Sequence, residues 1–191
     1  MRYMAFTSRN VKELLRDPLS YIFCLGLPVL MLVIMTLVNS NIPSEAQMTI
    51  FNIENLGPGI AIFSFSFVML FACLQVSKDR YSSFLIRRYG SPMTAFDFIA
   101  GYTIPLLLIA LGQVVITFAA SSLIGLITGT TFNLFNMIIS ALTLVPAVVL
   151  FIGFGLLFGS LFNDKVAPPI SSIVITLASI MGGIWMDVNM L

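Results

Sequence analysis

Histidine is missing from this chain altogether. Its absence removes Ser-His and Cys-His nucleophiles, histidine metal ligands and an imidazole proton shuttle. Cysteine is nearly as scarce, with two residues, Cys24 and Cys73, both in apolar runs and without C-x-x-C spacing. Two cysteines cannot by themselves furnish a four-ligand zinc or iron–sulfur site, and both read as reduced, buried side chains. Charge is the third shortage. Only 9% of the 191 residues are charged, where a soluble domain carries about 25%. Nine basic and eight acidic side chains cannot wet a globule of this size, so lipid must replace water over most of its surface. The net charge of +1 offers no special attraction to nucleic acid, and no nucleic-acid partner is expected.

What is present is long uncharged runs. No charged residue occurs between Phe98 and Asn163, which leaves room for two spans of about 20 residues each and a hairpin. The chain reads as an all-α, polytopic helical membrane protein with about five transmembrane helices, at 19–38, 58–76, 98–127, 137–162 and 166–186. The runs are apolar all round, as lipid-embedded helices are, and none alternates at period two as a barrel strand would. Arg2, Arg9, Lys12 and Arg16 precede the first run; Lys78, Arg80, Arg87 and Arg88 lie between the second and third, and Lys165 between the fourth and fifth. The intervening loops, near 39–57 and 128–136, hold no lysine or arginine. The positive-inside rule therefore places the N-terminus in the cytoplasm and Leu191 outside. The first run is too long for a signal-peptide core, and Asn39–Pro43 is no small-residue cleavage site, so no cleavage is expected there.

Two segments outside the spans are amphipathic. Across residues 2–17, Tyr3, Met4, Val11, Leu14 and Leu15 gather with Thr7 on one side of a helical wheel, and the charged residues fill the other. Phe6 alone falls out of place. Such a helix lies in the headgroup plane and feeds through Asp17-Pro18 into the first span. In the segment 77–97, Tyr81, Phe84, Leu85 and Tyr89 share one face, and Asp79, Arg80, Ser83 and Arg87 the other, before Ser91-Pro92 ends the helix. Pattern alone leaves two readings open: a docking surface for a partner, or a second helix lying on anionic lipid.

No acidic or basic residue falls inside the five runs. That weighs against ion-coupled transport and intramembrane proteolysis, which need ionisable groups at depth. Polar residues such as Ser64, Ser66, Gln75, Thr103 and Gln113 could line a path, but such groups more often bond across helices or back to their own backbone. Gly125-x-x-x-Gly129 and Gly155-x-x-x-Gly159 point to close helix packing, and Pro28, Pro105 and Pro146 to kinks. Energy to drive work would have to arrive through the cytoplasmic loops.

The order of these features resembles the membrane subunit of ABC-2 type ABC exporters. The likeness rests on the basic amphipathic helix, Arg16-Asp17-Pro18 and a span with a mid-helix proline. Lys78-Asp79-Arg80…Phe84-Leu85…Arg87-Arg88…Ser91-Pro92-Met93, then Asp97-Phe98-Ile99-Ala100-Gly101-Tyr102 and the late Gly182-Gly183 continue it. It takes in 1–191 as a single transmembrane domain. The resemblance implies a permease that pairs with a separate ATP-binding subunit and with a second permease subunit, identical or different, in the cytoplasmic membrane. It implies an elbow helix at 2–17 that meets membrane lipid through Tyr3, Met4, Val11, Leu14 and Leu15. It also implies a coupling helix loop at 78–92 that docks on the ATPase through Arg80, Tyr81, Phe84, Leu85, Arg87 and Arg88. No Gly-x-x-x-x-Gly-Lys-Ser/Thr phosphate loop occurs, so this chain is expected to bind no cofactor and perform no catalysis, with ATP and magnesium held by the partner.

Two departures stand out. Ser82 occupies a position where family members often have glycine. The family also has six spans with both termini inside, so five spans imply either a truncated product or fragment, which is the favoured reading, or a neighbour that supplies the missing packing. A non-transporting membrane sensor, accessory or assembly protein is the alternative reading. Drugs, lipids, glycans and peptides all remain open as substrates.

Overall fold

The computed structural model describes residues 2–43, 52–82, 90, 93–130 and 133–181. Within these residues the backbone is helical and no strand occurs. Six helices follow one another: α1 (Arg2–Leu15), α2 (Pro18–Asn41), α3 (Ile53–Tyr81), α4 (Ala95–Thr128), α5 (Leu134–Leu161) and α6 (Ala167–Met181). Helices α2 to α5 are long and apolar enough to cross a bilayer; α6 is shorter in its described part. The chain is a polytopic helical membrane protein. The last residues of the fifth sequence run, 182–186, lie outside the described residues.

Local chemistry sets the helix ends. Asp17 caps α2 by accepting from the Leu19 backbone N–H and the Ser20 hydroxyl, with Pro18 at the first helical position. Thr94 and Asp97 form a reciprocal capping box at the start of α4. At its other end Gly129 turns the chain with φ 81°, a left-handed conformation that costs glycine nothing. Gly129 therefore stops a helix, and a Cβ there would meet nothing within 4 Å; it packs no neighbour, contrary to the expectation from its spacing with Gly125. The 34-residue α4 is about 51 Å long at 1.5 Å per residue, so it overhangs a hydrocarbon core of about 30 Å.

Among the prolines, Pro28 coincides with a change of helix type. Ile22–Gly26 form a π-helical turn inside α2, closed by the Leu27 N–H bonding to the Ile22 carbonyl. Pro28 follows directly, and its missing N–H releases the carbonyl of the preceding turn. Helices α4 and α5 continue through Pro105 and Pro146.

Helix α3 is the hub, packing against α2, α4, α5 and α6. Phe65, Val68, Met69 and Ala72 of α3 meet Leu106 and Ala110 of α4 and Val148 and Ile152 of α5 in the main core. Gly155 and Gly159 let α5 press onto α3. A Cβ at Gly155 would come within 2.5 Å of the Met69 carbonyl oxygen, and one at Gly159 within 2.6 Å of that of Cys73. Cys24 and Cys73 are both free and buried. The outward faces carry leucine, valine and isoleucine, such as Leu126, Ile127 and Val115, as lipid contact requires.

Candidate functional site: a charged junction at one end of the bundle

The last turn of α3 reads Ser77-Lys78-Asp79-Arg80, and each side chain reaches a different neighbour. Asp79 is 1% exposed. Its carboxylate accepts from the Arg9 guanidinium of α1, at 2.5 and 2.8 Å, and from the Tyr102 hydroxyl of α4 at 2.8 Å. Lys78 pairs with Glu13 at 3.0 Å, and Glu13 pairs in turn with Arg9, one helical turn away, at 2.8 Å. Ser77 donates to the Phe162 carbonyl at 3.2 Å, and Arg80 to the Ser160 carbonyl. Those two carbonyls end α5, where a cation and a hydroxyl suit the negative pole of the helix dipole. One turn of one helix thus ties together α1, α4 and α5.

Helix α1 is seated on this turn by a second set of contacts. Phe6 is fully buried, edge-on to Tyr102 at 4.9 Å and to Phe98 at 5.8 Å between ring centroids. Its ring lies over Gly101, where any Cβ would collide with it. Asn10, one turn further on, is also fully buried and donates from its amide to the Gly101 carbonyl at 2.9 Å. Leu14 completes the stripe and joins the main core. The i, i+4, i+8 spacing of Phe6, Asn10 and Leu14 is the protein-facing stripe of α1.

The electrostatics favour a fixed ion pair. Burial works against the Arg9 charge, but the bonded Asp79 carboxylate and the nearby charge of Glu13 outweigh it and hold the guanidinium above its ordinary range. Breaking a buried pair by removing one partner costs about 3–5 kcal/mol, because the other charge stays behind. Motion of the α3 end therefore carries Arg9 and Tyr102 with it.

The structure revises two sequence expectations here. Phe6 is not misplaced: it is the anchor of α1, which packs it against α4 on a face apart from the exposed Met4 and Leu15. Asp79 does not share a solvated face with Arg80; a carboxylate beside Arg9 and Tyr102 is buried because it is satisfied. Of the elbow residues, Met4 and Leu15 are exposed, Val11 is half-buried and Leu14 is buried; nothing is described of the Tyr3 side chain. Of the coupling residues, Arg80 and Tyr81 close α3, with Tyr81 72% exposed, while Phe84, Leu85, Arg87 and Arg88 lie outside the described residues. Sequence pattern does not mark Asn10 and Tyr102 as partners, although Asn10 one turn from Phe6 is a usable signal.

These features define a multi-pass helical membrane protein with a charged node at one end. The chain matches the ABC-2 type transporter family over residues 1–191, and it belongs to that family. No curated protein and no solved structure matches it. Membership makes it the permease component of an ABC transporter, a membrane domain that is not itself catalytic and that works with an ATP-binding partner.

Proposed function

We propose that this chain is the membrane-spanning permease subunit of an ATP-driven ABC-2 type exporter. It lies in the cytoplasmic membrane with its N-terminus inside, paired with a second permease subunit and with separate ATP-binding subunits that hold ATP and magnesium. Residues 78–92 are the coupling segment that docks on the ATPase through Arg80, Tyr81, Phe84, Leu85, Arg87 and Arg88. Residues 2–17 are the elbow helix, which meets membrane lipid through Tyr3, Met4, Val11, Leu14 and Leu15. Drugs, lipids, glycans and peptides are all admissible cargo.

The junction at the end of α3 is the observation that carries this reading. It stands directly before the segment 83–92, and Asp79 joins it to two other helices. A push on the coupling segment reaches α3 first. Asp79 passes it to α1 through Arg9 and to α4 through Tyr102, while Ser77 and Arg80 pass it to α5. The nine basic residues on alternate loops support the orientation.

Docking and relay separate experimentally. Charge reversal at Arg87 and Arg88 combined with Phe84→Ala should release the cognate ATP-binding subunit in detergent pull-downs; undiminished co-purification would sink the docking assignment. Asp79→Asn should keep that co-purification and lower ATP hydrolysis by the assembled complex. Unchanged hydrolysis would remove the junction from the relay.

A further inference from the structure

Pro105 lies inside α4, which stays helical from Ala95 to Thr128. A proline has no N–H to give the carbonyl four residues earlier, and its ring presses that carbonyl out of line. Here the carbonyl belongs to Gly101. Its donor comes from another helix: Asn10 of α1 reaches it from Nδ2 at 2.9 Å. Asn10 is fully buried, and its Oδ1 accepts from the Arg9 guanidinium at 2.9 Å. The same guanidinium holds Asp79. A continuous run of hydrogen bonds therefore leads from the end of α3, through Asp79, Arg9 and Asn10, to the carbonyl that Pro105 leaves open. Phe6 lies over the same Gly101, where any Cβ would collide with its ring. Helix α1 thus covers the weak point of α4 with an aromatic ring and fills its missing bond with an amide.

We propose that Asn10 supplies the hydrogen bond that Pro105 withholds, and that α1 is thereby a latch on a hinge at residues 101–105 of α4. With α1 seated, the freed carbonyl is satisfied and α4 runs on through its proline. With α1 lifted, a buried carbonyl loses its donor, and α4 bends at Pro105 to bring that carbonyl to another partner. Asn10 is a positioning residue: it acts on the course of α4. As a step in transport the latch rests on the relay through Asp79; as a hinge device it belongs to this chain alone.

The test uses the full chain in lipid nanodiscs without an ATP-binding subunit. Spin labels at Phe96→Cys of α4 and at either Leu30→Cys of α2 or Val149→Cys of α5, all exposed positions, give two distances across the hinge. Cys24 and Cys73 are buried and stay unlabelled. Phe96 lies about 14 Å along the helix from Pro105, so a bend of about 20° moves it by about 5 Å. Asn10→Leu keeps the bulk and removes the donor. It should shift or broaden at least one distance by about 5 Å and lower the melting temperature by about 5 °C, the effect of one buried carbonyl left without a donor. Pro105→Ala returns a backbone N–H to Gly101. In the double variant Asn10→Leu, Pro105→Ala both distances should return to their wild-type values, and less than half of the thermal shift should remain. An asparagine that served packing alone would cost the same in either background. Unchanged distances in Asn10→Leu overturn the latch, and so does a shift that persists in the double variant. If Asn10→Leu alone does not fold, the double variant decides: wild-type distances support the latch, and failure to fold overturns it. The assembled complex reads the relay separately. ATP turnover should shift the same distances in the wild type and leave them unmoved in Asp79→Asn. Distances that ignore ATP while Asn10→Leu still bends α4 bring down the relay and leave the latch standing.

Discussion

Helices α2 and α3 are both uncharged through their middle, and their candidate membrane spans are of similar length, 24 and 27 residues. Yet in the 18-residue apolar window of each, 61% is buried inside the protein in α3 against 22% in α2. Hydropathy does not separate them, since lipid and protein interior are equally apolar. Small residues do. Gly57, Ala61, Ser64, Ala72, Cys73 and Ser77 of α3 recur at helical spacing and are all buried, which lets four neighbours approach its backbone. Helix α2 shows leucine, valine and isoleucine on nearly every side, and Leu30, Val33, Ile34 and Leu37 are exposed. A helix that is to be surrounded by protein needs a thin waist; one that is to face lipid needs only bulk.

The comparison breaks most readily at the end of α3. Asp79→Ala should destabilise the chain by about 3 kcal/mol, the low end for a broken buried pair, because the Arg9 side chain keeps 33% of its exposure. Thermal unfolding in detergent reads this, and replacing Arg9 as well should restore part of the loss. Next comes Gly155→Ala, which drives a methyl into the Met69 carbonyl and the Ala72 side chain of α3; about 2 kcal/mol should be lost to overpacking. The matching change in α2, Gly26→Ala, meets nothing within 4 Å and should move stability by about 0.5 kcal/mol or less. Equal melting temperatures for these two glycine variants would erase the distinction between hub and lipid-facing span. Pro28→Ala should have the smallest effect on stability. It returns an N–H that the Cys24 carbonyl can accept, lets the wide turn regularise, and should be read as new maleimide reactivity at Cys24, now 1% exposed.

The existence of the spans was legible because charge is absent over long runs, and a bilayer leaves a helix as the only open solution for such a run. The ends were less so. Hydropathy ends the second span at Val76, before the first charge, whereas α3 runs to Tyr81. Asp79 enters the bundle through its partners, and partners come from other helices that one-dimensional pattern does not place. Phe6 failed for a related reason. A wheel sorts residues by polarity, while α1 sorts its apolar residues again between the exposed surface, as with Met4 and Leu15, and the protein interior, as with Phe6 and Leu14. The spacing of Gly129 points to packing, but the residue is a stop, a distinction carried by backbone dihedral rather than by spacing.

The wide turn Ile22–Gly26 has a consequence for phase. Ser20 and Leu32 are both buried against the bundle, at 1% and 0% exposure. On an unbroken α-helix they would point about 120° apart. One residue absorbed by the wide turn brings them to within about 20°, so a single straight seam runs along both halves of the span. Trading that residue back would swing the inner half through about 100°. Helix α1, joined at Asp17, and the arginine it lends to Asp79, would turn on the same axle.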